Sequence, residues 1–161
     1  MKAIINYRYR RMAQTNGDKC QIPLFILSQS ECKEHFLLEL KAVSQQESLT
    51  FSDEGTYSSL WVELPANTIL DVSEEGEYMR ISHVNNKFSE INWNEYAVYI
   101  QRSHIEEIPK RYDVQLSEEG NNYQILRYNF SYNYYVPMQK LPFFASESEA
   151  WQYIQENLED W

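Results

Sequence analysis

The chain has 161 residues, of which 43% are hydrophobic and 24% charged. That length fits a single domain, and a chain of this size buries about two thirds of the surface its unfolded form exposes. With 7 Phe, 4 Trp and 13 Tyr there is apolar surface enough for a core, which excludes a disordered chain. The net charge is −10. Residues 1–50 carry seven Lys/Arg against five Asp/Glu, and the rest of the chain carries seven against 19. An acidic field of this kind repels nucleic-acid phosphates and anionic lipid headgroups, so direct binding to nucleic acid or membrane is not expected.

No apolar run is long enough to span a bilayer, and Met1–Arg8 turns polar too early for a secretory leader. Cys20 and Cys32, twelve positions apart, define no disulfide framework. A reducing, cytoplasmic setting follows as the expectation.

Taken in chain order, Ala3, Ile5, Tyr7 and Tyr9 alternate with Ile4, Asn6, Arg8 and Arg10, which predicts a first strand over residues 3–10. Lys2, Arg8 and Arg10 then form a basic stripe, with Arg11 beside it. Asn16-Gly17 predicts a hairpin turn into a second strand, residues 22–27. Ser28 and Glu31 have the spacing of a capping box before Phe36, Leu37, Leu40 and Val43, predicting a helix over about 29–46.

Three related strings follow: Ser52-Asp53-Glu54-Gly55-Thr56-Tyr57, Ser73-Glu74-Glu75-Gly76-Glu77-Tyr78, and Ser117-Glu118-Glu119-Gly120 with Tyr123 further on. Ser and Asp start turns through side-chain bonds, and Gly accepts the positive φ that ends them, so each string predicts a hairpin. Strands are expected at 60–64, 68–72, 78–84, 96–101, 112–116 and 123–136. In the last of these Tyr128, Phe130, Tyr132 and Tyr134 share one face. Pro142 and a second box, Ser146 and Glu149, precede a closing helix over about 147–160. The fold class expected is α+β: about eight or nine strands in a mainly antiparallel curved sheet or partial barrel, with two helices. The stretch Leu64–Val72 followed by Glu74–Ile81 resembles part of a bacterial SH3-like barrel. That likeness spans only these residues and implies a barrel core.

The four glycines are isolated and supply no phosphate-cradling loop, and no nucleophile elbow is present. Cys32 and His35 on one helix face, with Cys20 and a distant histidine, are the only set with a zinc-like donor composition. Their spacing is not that of two close ligand pairs, so no metal or other cofactor is expected. A cysteine nucleophile would need a histidine and an orienting group beside it, and nothing local places Cys20 or Cys32 in such a set with His35, His83 or His104; Glu106-Glu107 reads as an exposed pair. No catalytic residue is assigned.

Two surfaces carry a functional expectation. Asp53, Glu54, Glu74, Glu75, Glu77, Glu118 and Glu119 are acidic turn residues. If strands 56–64 and 67–72 run back to back, the turns at Gly55 and Gly76 meet at one end of the sheet. Trp61 and Trp93 are aromatic residues in polar settings, the residue type that anchors interfaces. The function expected is a non-catalytic acidic protein that neutralises a basic protein partner, a nuclease or other nucleic-acid-binding protein. Toxin-immunity proteins and phage-type anti-defence inhibitors, anti-CRISPR proteins among them, are of that class. The alternatives are a small-molecule-binding or regulatory module, with Tyr128, Tyr132, Tyr134 and the basic stripe lining a pocket, and a small enzyme.

Overall fold

Alternating apolar residues dominate this chain. In the computed structural model, which describes residues 1–161, they build two open antiparallel sheets. The chain divides into two compact units, Met1–Ile108 and Pro109–Trp161. The fold is α+β, as the sequence predicts.

The first unit contains strands β1 (Lys2–Ile5), β2 (Lys19–Leu27), β3 (Ser52–Asp53), β4 (Tyr57–Pro65), β5 (Ile69–Glu75), β6 (Tyr78–Val84), β7 (Tyr99–Gln101) and β8 (Ile105–Glu107). Its helices are α1 (Tyr7–Ala13), α2 (Lys33–Ser44) and α3 (Trp93–Tyr96). The sheet order is β3-β4-β2-β7-β6-β5-β1-β8, with every pairing antiparallel. The sheet is curved and does not close, so the SH3-like barrel implied by residues 64–81 is not formed.

The expected first strand is cut short. Asn6 caps a helix by accepting a hydrogen bond from the Arg8 N–H, and residues 7–13 wind into α1. The alternation over 3–10 therefore ends at Ile5, and the basic stripe does not exist as a strand face. Gly17 (φ +62°) and Asp18 (φ +58°) turn the chain out of α1 into β2, and β1 pairs with β5 and β8 instead of β2. The first hairpin is thus a helix-to-strand turn.

The hairpins at Gly55 and Gly76 form as expected, joining β3 to β4 and β5 to β6. Gly76 opens a two-residue loop with φ +67°, the conformation such tight hairpins require. At the far side of the sheet β4 would present an open edge. The short β3 covers its start, and the Gln46 side-chain amide pairs with both the N–H and the carbonyl of Glu63 (2.9 and 3.1 Å). Such cover keeps a sheet edge from templating another strand.

α2 starts four residues later than the capping-box spacing suggests. Ser28 is bound into the β2–β4 ladder: its N–H donates to the Thr56 carbonyl and its hydroxyl meets that of Ser58. It is not available as a cap, and Cys32 takes the N-cap position without a side-chain bond. Phe36 and Leu40 of α2 enter the core, where Phe36 meets the rings of Trp93 and Tyr96 (centroids 5.6 and 5.3 Å). Fully burying a side chain like Phe36 contributes about 1.5–3 kcal/mol.

The second unit holds β9 (Tyr112–Leu116), β10 (Tyr123–Asn129), β11 (Tyr134–Pro137) and α4 (Glu147–Asn157). The expected strand 123–136 is two strands. The Asn129 side chain accepts from the N–H groups of Ser131 and Tyr132, and Asn133 takes φ +58°, so the chain reverses without a glycine. Tyr128 is buried, whereas Tyr132 and Tyr134 are exposed past this turn. They do not share one face, and the tyrosine pocket is not formed. Ser146 caps α4 by accepting from the Glu149 N–H at 3.2 Å. Ile154 and Leu158 pack with Tyr112, Ile125 and Ala150 into this unit's core.

Candidate partner-binding surface

Strand alternation separates the two faces of the large sheet. Leu24, Leu60, Met79, Ile81 and Ile100 point to the core with the helices. Phe25, Tyr57, Trp61, Tyr78 and Tyr99, their neighbours of opposite parity, point the other way. Register sets them in rows: Ser59, Phe25, Tyr99 and Arg80 lie side by side, and in the next row Trp61 lies beside Pro23, and Glu75, Tyr78 and Gln101 lie side by side.

The rings pack on one another. Phe25 and Tyr78 have centroids 5.0 Å apart, Tyr57 and Tyr78 4.9 Å, and Tyr57 and Tyr99 5.9 Å. Phe25 and Tyr99 are each 6% exposed beneath this cover, Tyr57 and Tyr78 are half-buried, and Trp61 is 59% exposed.

Carboxylates rim the rings. The Tyr99 hydroxyl donates to Glu75 at 3.0 Å, and Arg80 stands 3.7 Å from the other oxygen of that carboxylate. Burial pushes the Tyr99 phenol above its ordinary pKa, helped by the bond to Glu75. Burial likewise raises Tyr78, with the charges of Tyr57, Glu77 and Glu54 adding to it. Both hydroxyls therefore stay protonated at neutral pH and can donate hydrogen bonds.

This geometry revises how the acidic turns meet. β4 and β5 are not neighbours. Three strands stand between them and they run the same way, so the turns at Gly55 and Gly76 lie at opposite ends of their strands. Sheet twist nonetheless brings Tyr57 against Tyr78 and puts Glu54 and Glu77 within electrostatic reach of the same phenol.

Of the residues singled out from the sequence, Glu75 and Trp61 belong to this face by register, and Glu54 and Glu77, in the turns, act on its Tyr78 phenol. Glu74, of opposite parity, pairs with Arg102 at 2.6 Å. Asp53 is tied to Lys33 at 3.1 Å and accepts a hydrogen bond from the Ser58 hydroxyl. The Ser58 bond, with Lys33 next, holds its carboxyl below the ordinary range. Trp93 is 1% exposed and its indole donates to the Phe88 carbonyl, so the expectation of an exposed anchor there is corrected. Its polar neighbours Asn92 and Asn94 are the N-cap and a residue of α3, the short helix that turns the indole inward. Glu118 and Glu119 sit on the β9–β10 hairpin of the second unit, beside a 290 Å³ cavity.

Phe25, Tyr57, Tyr78 and Tyr99 were not singled out. A signal for two of them exists: a tyrosine stands two residues after each of Gly55 and Gly76.

The other residues weighed for chemistry do not assemble. Cys20 is buried, which pushes its thiol up to about 11, while Cys32 is exposed. No three His, Cys, Asp or Glu side chains gather to hold a metal. His35 packs edge-on to Tyr96 and His104 edge-on to Tyr9. No helix is long and apolar enough to cross a membrane. No family model, curated protein or solved structure matches the chain.

Proposed function

We propose that the protein binds and neutralises a basic protein partner through the aromatic, acid-rimmed face of its large sheet. The observation that supports this best is the joining of Trp61, Tyr57 and Tyr78 on one face with Glu54, Glu75 and Glu77 around them. Arg80, on the same face, is already paired with Glu75. Rigid aromatics supply contact area at low entropic cost, and the carboxylates steer a cationic surface into place. A nuclease or other nucleic-acid-handling protein presents such a surface where it holds phosphates. The reading therefore makes the chain a cytoplasmic immunity protein or anti-defence inhibitor that covers a nucleic-acid cleft without catalysis.

A pull-down from lysate of the source organism, its phages and its neighbours tests this, run at low and high salt with bound proteins identified by mass spectrometry. The expected result is one basic nucleic-acid-handling protein, released by salt and lost when Tyr57→Ala and Tyr78→Ala are combined. Capture that survives this double substitution overturns the assignment of the face. No capture at all overturns the inhibitor reading and turns attention to small ligands.

A further inference from the structure

Beside the aromatic rings lies a cleft of about 570 Å³ between the connection that follows α2 and the outer side of β4. Trp61, Glu63 and Gln21 line it from the sheet, and Gln46, Glu47 and Leu49 are among the residues that line it from the connection. Both charged groups in that lining are carboxylates. Glu63 and Gln21 are cross-strand partners, and the Gln21 amide donates to Glu63 at 2.7 Å, leaving the carboxylate with unused acceptor positions. Gln46 is pinned by its two bonds to the Glu63 backbone, so the far wall is pre-formed.

We infer that this cleft receives an arginine side chain of the basic partner, an inference that rests on the reading above. Trp61 is 59% exposed and its indole offers a flat π-face, on which a guanidinium stacks more readily than an ammonium does. Its fork of N–H donors matches a carboxylate, and Glu63 lies two residues along β4 from Trp61 on the same face. Charge complementarity selects the occupant: an anion would meet two carboxylates and no cation, and an apolar side chain would cover the Glu63 carboxylate without supplying the counter-charge that its one bond from the neutral Gln21 amide does not provide. An acidic cleft with one aromatic wall therefore reads as a receptor for a single cationic, planar group.

The test uses the full chain and three hexapeptides, of arginine, lysine and uncharged citrulline, at low salt. Indole N–H signals are followed by NMR, with Trp61 assigned by its loss in Trp61→Phe. The expected result is a saturable shift of the Trp61 signal with hexa-arginine, several times weaker binding of hexa-lysine, and no shift with citrulline. Trp61→Ala, at an exposed position, and Glu63→Gln, an isosteric change at a half-buried one, are each expected to weaken hexa-arginine about three- to fivefold, the size of an exposed cation–π or ion-pair contact. An unmoved Trp61 signal, or equal shifts from arginine and citrulline, overturns the inference. If that happens while a captured partner is still lost with Tyr57→Ala/Tyr78→Ala, the arginine cleft alone is wrong and the aromatic face stands.

Discussion

A guanidinium only 1% exposed survives in the first unit because Arg10 has fixed partners. Its Nε donates to the Ile5 carbonyl at 2.7 Å, and Nη2 meets Glu106 at 2.6 Å. Removing the carboxylate strands a buried cation, which costs several kcal/mol where both partners are enclosed. Glu106 is 37% exposed, so water recovers part of that loss. Glu106→Ala is expected to destabilise by about 2 kcal/mol in urea denaturation. His104 is set against Tyr9 with its Nδ1 buried and unbonded, and burial holds its pKa below the ordinary 6.5. The unfolded chain then binds the proton more readily. The contribution of this group to stability is full above pH 6.5 and is lost as pH falls through the lower, folded value. His104→Phe keeps an aromatic ring against Tyr9 and removes the titration. Urea midpoints measured from pH 7.5 to 5 should fall less steeply in that variant than in the wild type. Identical slopes would show that His104 does not carry this dependence.

At the scale of elements, local chemistry decides where each one begins. The Ser146 hydroxyl holds one of the four N–H groups that α4 leaves unpaired. Ser146→Ala should cost about 1 kcal/mol, read as a lower unfolding midpoint for the second unit. That cap was legible, and so were the hairpins at Gly55, Gly76 and Gly120, because side-chain–backbone bonds and positive φ are properties of a few adjacent residues. The same chemistry is hidden where asparagine carries it within an alternating run. Asn6 starts α1 inside a run that alternates like a strand, and Asn129 with Asn133 reverses a chain that otherwise reads as one long strand. The box at Ser28 misled for the opposite reason. A tertiary partner, the β4 side of the ladder, took the hydroxyl that local spacing offered to the helix. Strand order was beyond reach of the pattern: nothing local says that β1 pairs with β5 and β8, or that β7 inserts between β2 and β6. The candidate face depends on that order, so its individual residues were partly visible and their meeting was not.

Across the whole molecule, the division of labour between charge and rings can be separated by kinetics. The chain carries −10, and beside the candidate face Glu54 and Glu77 act on the Tyr78 phenol without a cation bonded to either of them. Exposed charges at the rim of a surface act over a Debye length, about 8–10 Å at physiological salt, and mainly set how often a productive encounter forms. Buried rings act only after contact and set how long the complex lasts. Glu54→Lys combined with Glu77→Lys should therefore slow association with the basic partner by about tenfold or more at low salt. It should also flatten the salt dependence of that rate and change dissociation little. Tyr57→Ala with Tyr78→Ala should do the reverse, leaving the association rate within a fewfold and speeding dissociation by at least tenfold. Surface plasmon resonance over a salt series measures both. If charge reversal altered only the dissociation rate, the glutamates would be contact residues buried in the complex, and the steering role assigned to them would be wrong.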